Sequence, residues 1–303
     1  MRGAFALILL LPAVVWAAAA PGIFDGRTGR PVSLEQVAQA VRAGDILIIG
    51  EEHDDAAHHA NQLLVLEALK ARSLRVSVGL EFLAYPDQIW VDWYVRGEIS
   101  EPEFVRAVRW GGAPFAWYRP LILFPRGAGG DTVALNAPDA LTRAIAQQGL
   151  DALSDEERGL LPPGFALGSA LYFERFAQAV QQHGRLSEEA VRNFFAAQSV
   201  WDDTMAWRAV SYVAVHPDQV LVIIVGDFHA AYGGGLPDRL RARGAPAVYT
   251  ISQVGIGDLT DAEIQALLAP DPRYGVRADF IWLTGPYAPP PLVIARPAGP
   301  KQS

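Results

Sequence analysis

Residues 45–54, DILIIGEEHD, decide the fold. Residues 45–49 are mostly β-branched or apolar and show no helical period, which predicts a short strand buried on both faces. Gly50 ends this strand, and Glu51, Glu52 and His53 follow it directly. Asp54 or Asp55 is suited to cap the apolar-periodic helix that comes next. Ligands of open α/β sheets bind at the carboxyl ends of strands, so Glu51 and His53 mark an expected ligand site.

The same arrangement recurs late in the chain. Residues 220–226, VLVIIVG, form a second continuous apolar run closed by glycine, and Asp227, Phe228 and His229 follow it. In an extended backbone, residues two apart point the same way, so each strand end presents an acid and a histidine together. The two pairs could converge on one metal or cofactor. The alternative is a pair of core strands that simply end in polar loops.

Two further strand ends carry polar side chains. Residues 75–82 predict a strand that ends near Glu81, and residues 131–136 predict one that ends in Asn136. Helical segments alternate with these strands, and an apolar helical stretch falls at about 150–216. We therefore expect an α/β fold with a central, mostly parallel sheet flanked by helices and carrying a helical insertion.

The chain ends predict the domain organisation. Residues 1–20 have Arg2, an apolar run and an Ala-rich end, as in a secretory signal peptide that is cleaved. An uncleaved anchor is the alternative. We expect one α/β domain over 21–290 and a loose Pro-rich tail over 291–303. These features predict an exported, periplasmic protein, and the absence of cysteine argues against a lipid anchor.

Composition excludes some partners and ligands. The 303 residues are 51% hydrophobic and 19% charged, which is typical of a globular protein, and the net charge is −8. No basic run is present, so we expect no nucleic-acid partner. Without cysteine, a bound metal would have only nitrogen and oxygen ligands, such as suit Zn²⁺ or Mn²⁺.

Several other segments carry weaker predictions. Residues 21–31 read as a surface lead-in, and residues 103–123, rich in aromatic residues and broken by glycine, as an irregular wall of a pocket or a satellite core. His58 and His59 are expected on a solvated surface. Of the adjacent acids Asp202 and Asp203, one should bond a specific partner, because both lie within an apolar helix.

A set of motifs carries a family resemblance. The chain resembles the ChaN-like haem-binding uptake proteins, in the wider superfamily that includes the Tiki metalloproteases and erythromycin esterases. No single motif is specific, but the set is. It consists of GEEHD at 50–54, GLEF at 79–82, ALNAP at 134–138, GLDALSDEERGLLP at 149–162, AQSVWDDTMA at 197–206 and GDFHAAYGGGLPDRL at 226–240.

The resemblance implies a haem-binding protein, often with a pair of haems held between two monomers, and so a homodimer. It also implies that the strand-end cluster corresponds to the metal or catalytic site of the Tiki and esterase relatives. The positions carried over by motif are Glu51, His53, Glu81, Asn136, Asp203 and His229, with Tyr232 three residues on. The family name is tied to lipoproteins, and this chain differs from them because it has no cysteine to carry a lipid.

Two functions remain open. In the first, an exported protein binds haem, with His229 or Tyr232 as the axial ligand, Asn136 and Asp203 nearby, and an aromatic wall from 110–118. In the second, Glu51, His53, Glu81 and His229 hold a divalent metal ion, and a bound water attacks an ester or peptide. Glu51 and His53 would then be the catalytic pair, with or without a metal.

Overall fold

An eight-stranded mixed sheet forms the centre of the protein. The structure is a computed structural model that describes residues 21–285, apart from 112, 183 and 185. The predicted signal peptide, the tail over 291–303 and the last residues of the predicted domain lie outside the described residues. The strands are β1 (Gly22–Asp25), β2 (Pro31–Val32), β3 (Ile46–Glu51), β4 (Arg75–Ala84), β5 (Gly129–Asn136), β6 (Gln219–Gly226), β7 (Val248–Gly255) and β8 (Phe280–Thr284).

The strand order is β2-β1-β8-β7-β3-β6-β4-β5. All pairings from β8 to β5 are parallel, whereas β1 pairs antiparallel with both β8 and β2. The predicted α/β fold with a mostly parallel sheet is confirmed. β3 lies at the middle of the sheet, between β6 and β7, as its continuous apolar run requires.

Helices cover both faces of the sheet. In the described part of the chain they are α1 (Leu34–Ala40), α2 (Ala56–Ala71), α3 (Gln88–Arg96), α4 (Glu101–Ala107), α5 (Phe115–Ala128), α6 (Asp139–Gln148), α7 (Asp155–Arg158), α8 (Ala170–Gln182), α9 (Glu188–Val215), α10 (Asp227–Ala230), α11 (Leu236–Ala242) and α12 (Asp261–Leu268). Among these, none is long and apolar enough to cross a membrane.

Alternating side chains of the strands build two separate cores. Leu47 and Ile49 of β3 pack with α1, α2 and α5 on one face, and Ile46 and Ile48 pack with α9 and α11 on the other. All four side chains are fully buried. Burial of each contributes about 1.5–3 kcal/mol, which fixes the register of β3 and therefore the position of Glu51 at its carboxyl end.

Two segments are more regular than expected. Residues 21–31 were predicted as a surface lead-in, but β1 runs along β8, because Ile23 and Phe24 bury their side chains there. Residues 103–123 were predicted to be irregular, but they contribute to α4 and α5. Ser100 and Glu103 form a capping box that starts α4, and Pro120 is accommodated inside α5.

Candidate functional site

The carboxyl ends of β3, β4 and β6 meet around one cleft. Glu51 is level with Gly226 in the parallel register of β3 and β6, and Glu81 follows the last β4 residue paired with β6. The cleft has a volume of about 590 Å³ and lies at this edge of the sheet. Its lining includes Glu51, His53, Glu81 and His229, so the structure brings together four residues that were predicted at three strand ends.

Glu51 is a buried carboxylate held by three donors. It is 2% exposed. Its Oε1 accepts hydrogen bonds from the Tyr118 hydroxyl and from Nδ1 of His53, the latter over 2.9 Å. Its Oε2 accepts a hydrogen bond from Nε2 of Gln62, and Nδ1 of His59 lies 3.5 Å away. These donors provide the compensation that a buried carboxylate needs.

His53 links Glu51 to the open cleft. Its side chain is 42% exposed, and its ring meets Phe82 edge-on at 4.8 Å between centroids. The other ring edge lies over Gly226, where a Cβ atom would come within 3.0 Å of both Cε1 and Nε2. Burial lowers the pKa of His53, but the hydrogen bond to Glu51 and the charge of Glu81 outweigh it and raise this pKa above its ordinary value.

His229 lies between two carboxylates. Its Nδ1 is 2.7 Å from Oδ1 of Asp202, and its Nε2 is 3.4 Å from Oε1 of Glu81. Burial opposes the charged form, but the two carboxylates prevail and raise the pKa of His229 to about 10. Burial likewise raises the pKa of Glu81, but the charge of His229 and the N–H of Gly226, which donates over 2.6 Å, help lower it to about 2. Both nitrogens of His229 are therefore engaged in a buried ion triad.

Apolar side chains form the opposite wall of the cleft. Phe176 and Val180 of α8, Trp201 of α9 and Phe228 line it. Phe176, Gln198 and Trp201 also line an adjoining cavity of about 530 Å³, which contains Asp139 and Arg143 of α6. The strand-end cleft therefore continues into a longer groove between the sheet edge and the helical segment.

Three predicted residues lie outside this cleft. Asn136 donates from Nδ2 to the Glu81 carbonyl over 2.8 Å and lines a neighbouring cavity. Asp203 is fully buried in ion pairs with Arg239 and Arg243. Tyr232 has a left-handed backbone (φ 62°) and lines a separate, smaller cavity. None of the three lines the strand-end cleft.

Asp202, not Asp203, is the aspartate that reaches the site. Successive residues of a helix point about 100° apart, so only one of the pair can face His229. Asp202 accepts from His229 and, over 2.9 Å, from the Tyr172 hydroxyl, whereas Asp203 faces α11. The sequence indicated that one aspartate would have a specific partner but could not determine which.

Other contributors were missed because burial hides them from sequence patterns. His58 and His59 are buried rather than solvated. His58 accepts from the Glu52 N–H over 2.9 Å, and Nε2 of His59 lies 3.1 Å from the His53 carbonyl. Of the expected aromatic wall, Tyr118 packs behind Glu51 and Trp110 packs on Tyr118, so this segment supports the site from within the core.

The divalent-metal interpretation of the cleft is not supported. Across the described residues, no group of three or more histidine, aspartate or glutamate side chains could hold a metal ion. The physical reason is that Glu51 and Glu81 already satisfy their oxygens with donors from the protein, and His229 is bound on both nitrogens.

Comparison with known proteins identifies the family. The model of the family described as haem-binding uptake, Tiki superfamily, ChaN, matches residues 37–240. The chain belongs to the ChaN family. The match spans the strand-end cleft and the helical segment over it, and it confirms the resemblance of the sequence motifs. No curated protein matches the chain.

A solved structure supports the ChaN fold. ChaN of Campylobacter jejuni, described with cofacial haem binding, aligns with a TM-score of 0.64 and 17% identity, covering 86% of this chain and 94% of that one. The erythromycin esterase EreC in an open conformation aligns at a TM-score of 0.46 and 12% identity over 73% of each chain. The type III effector HopBA1 aligns at 0.45 and 12%, covering 89% and 99%.

Proposed function

We propose that this ChaN family member binds haem in the strand-end cleft. The observation that carries the proposal is a cleft with one apolar wall and a partly exposed histidine facing it. The apolar wall consists of Phe176, Val180, Trp201 and Phe228, and His53 lies on the opposite, polar side. Family membership supplies the ligand class, since the family is described as haem-binding uptake.

The residues present suit a haem. Small-molecule pockets occupy about 300–1,000 Å³ and are mostly apolar with a few placed polar groups, and the cleft of about 590 Å³ fits that description. The aromatic side chains of the apolar wall, Phe176, Trp201 and Phe228, offer a surface for a flat macrocycle. Arg143, in the adjoining cavity, offers a cation for the carboxylates that haem carries. An uptake protein carries haem as cargo, so its site must bind the haem without reacting with it.

The metal-dependent hydrolase is not favoured as the function. It requires Glu51, Glu81 and two histidines to share one metal ion, and these groups are instead committed to one another in the described part of the chain.

A haemin titration of residues 21–303, followed by absorbance, tests the proposal. We expect a saturable Soret shift near one haem per chain. Ala179, on α8, lines the cleft, so Ala179→Trp should fill it and abolish the shift. Gln181, exposed on the same helix and outside the cleft lining, gives the control Gln181→Trp, which should bind normally. No saturable shift in the wild type, or equal binding by both variants, would contradict the proposal.

We also propose that the protein is exported to the periplasm. Residues 1–20 support this, because their apolar run and Ala-rich end are typical of a cleaved signal peptide. Fractionation of cells that express the full chain, with N-terminal sequencing of the product, tests it. The expected result is a periplasmic protein shortened by about 20 residues. A cytoplasmic protein that still begins at Met1 would contradict it.

A homodimer that holds its haems between two copies is a further proposal. The cofacial haem binding described for ChaN of C. jejuni supports it. Size-exclusion chromatography with and without haemin tests it, and a monomer at all haemin ratios would contradict it.

A further inference from the structure

We propose that a second cavity, between α8 and residues 231–235, binds a small oxyanion through Arg175. Residues 231–235, AYGGG, form the glycine loop and belong to the motif at 226–240. The cavity lining includes Arg175 from α8, and Tyr232, Gly233 and Gly234 from the glycine loop. It shares no lining residue with the strand-end cleft, so this site does not depend on the proposed haem function.

Arg175 is a half-buried cation that has no carboxylate partner among the described residues. Its Nη2 donates to the Phe228 carbonyl over 2.7 Å, and within the described ranges the side chain makes no other hydrogen bond and no ion pair. Burial lowers the pKa of the guanidinium, because its charge has lost part of its hydration. A bound anion would compensate for that loss.

Aromatic rings hold the guanidinium of Arg175 in place. Its central carbon lies 4.1 Å from the ring centroid of Phe228, 5.4 Å from that of Tyr172 and 5.5 Å from that of Tyr232. These cation–π contacts fix the side chain but do not use its N–H donors, of which an arginine has five. Arg175 is therefore positioned without a counter-charge, and most of its donors remain available to a ligand.

Other groups around the cavity also offer hydrogen-bond donors. The N–H of Gly234 donates to no group in the described part of the chain, and a Cβ atom there would come within 3.2 Å of the Tyr172 ring, so this position has room only for backbone. The Ser169 oxygen accepts the Tyr172 N–H over 3.3 Å, which leaves its own hydrogen available. Of the described residues that line the cavity, Asp238 alone is acidic, and its charge should oppose an anion.

The size of the cavity limits its ligand. Its volume of about 160 Å³ is below the roughly 300–1,000 Å³ of pockets that take a whole small molecule. It therefore suits a small ion or one charged group of a larger molecule, and not a haem. The planar fork of an arginine matches the paired oxygens of phosphate and carboxylate groups. Both groups are oxyanions, and the experiment distinguishes them.

Isothermal titration calorimetry of residues 21–303, in a buffer without oxyanions, tests the proposal. Inorganic phosphate and sodium acetate are the two probes. Saturable binding of phosphate would assign the site to a tetrahedral oxyanion, and binding of acetate alone would assign it to a carboxylate group. Binding of neither probe would overturn the proposal. Because no haem is present, that failure would leave the proposed haem function intact.

Two variants with opposite effects assign the binding to this cavity. Arg175→Gln should weaken binding of the probe at least about tenfold, as expected for the loss of a charged hydrogen bond. Asp238→Asn should strengthen it, because it removes a like charge. Arg273, an exposed arginine outside the lining that pairs with Glu174, gives the control Arg273→Gln, which should match the wild type.

Equal affinity in Arg175→Gln and the wild type would place the anion elsewhere and overturn the proposal. If Arg175→Gln does not fold, Asp238→Asn decides the question on its own. Stronger binding in Asp238→Asn supports an oxyanion in this cavity, and unchanged or weaker binding contradicts it.

Discussion

Nδ1 of His229 donates to Oδ1 of Asp202 over 2.7 Å, which joins the short helix after β6 to the middle of α9. The contact is buried on both sides and also ties His229 to the Tyr172 hydroxyl through Asp202. It positions α9, and with it Trp201, over the strand ends. The ion triad of Asp202, His229 and Glu81 is therefore the structural support of the cleft rather than a ligand for what enters it.

The triad predicts that the stability of the fold falls at both alkaline and acidic pH. The folded pKa of His229 is about 10, above its ordinary 6.5, so its contribution is complete below pH 6.5 and is lost as the pH rises through about 10. The folded pKa of Glu81 is about 2, below its ordinary 4.5, so its contribution is present above pH 4.5 and is lost as the pH falls through about 2. Urea unfolding across about pH 2–11 measures both losses.

His229→Gln is the matching variant for that experiment. It should flatten the alkaline decline in the free energy of unfolding, because its side chain does not titrate. Equal alkaline slopes in the two proteins would show that the triad does not link protonation to folding.

Asp203→Ala should destabilise the fold without changing ligand binding. Asp203 is fully buried and pairs with Arg239 and Arg243, and removing one partner of a buried ion pair costs about 3–5 kcal/mol. Because Asp203 faces α11 and not the cleft, haemin affinity below the unfolding temperature should match the wild type. Calorimetry and a haemin titration measure the two quantities. A loss of haemin affinity at unchanged stability would instead indicate that Asp203 belongs to the binding site.

Gly226→Ala should disturb His53 without altering any charge. The added Cβ atom would lie 3.0 Å from Cε1 and Nε2 of His53, closer than ordinary contact, so the ring must shift. We expect about tenfold weaker haemin binding, roughly 1.4 kcal/mol, because His53 lines the cleft. Gly257, which has open space around it, gives the control Gly257→Ala. Unchanged haemin binding in Gly226→Ala would show that the position of the His53 ring does not matter for the ligand.

Arg143 should recognise the carboxylates of haem. It is exposed and lines the cavity that continues the cleft, together with Asp139 one helical turn earlier. Arg143→Leu should weaken haemin binding by about 1 kcal/mol, as for an exposed ion pair, and should leave the dimethyl ester of haemin unaffected. Asp139→Asn should strengthen haemin binding slightly, because it removes a negative charge that repels the haem carboxylates. If haemin and its dimethyl ester lose equal affinity in Arg143→Leu, Arg143 does not contact the carboxylates.

The sheet and its strand ends could be predicted from the sequence because they depend on local patterns. Continuous apolar runs closed by glycine at Gly50 and Gly226 mark buried parallel strands, and the register brings Glu51 and His229 to one edge. Residues 21–31 were harder, because a strand of only four residues such as β1 is stabilised by its pairing with β8, far away in the sequence.

The partners of the site residues could not be predicted in the same way. Tyr118 meets Glu51 across 67 positions of sequence, and only the packing of α5 on the sheet sets that contact. The choice between Asp202 and Asp203 depends on the rotation of α9 about its axis. Tyr232 has a left-handed backbone and lines another cavity, which the motif around it did not indicate.

Anomalous diffraction at the iron edge, from crystals of residues 21–303 grown with haemin, tests the central claim most directly. The account predicts one iron peak per chain in the strand-end cleft, beside Phe176 and Trp201. Iron bound outside the cleft would contradict the account as a whole.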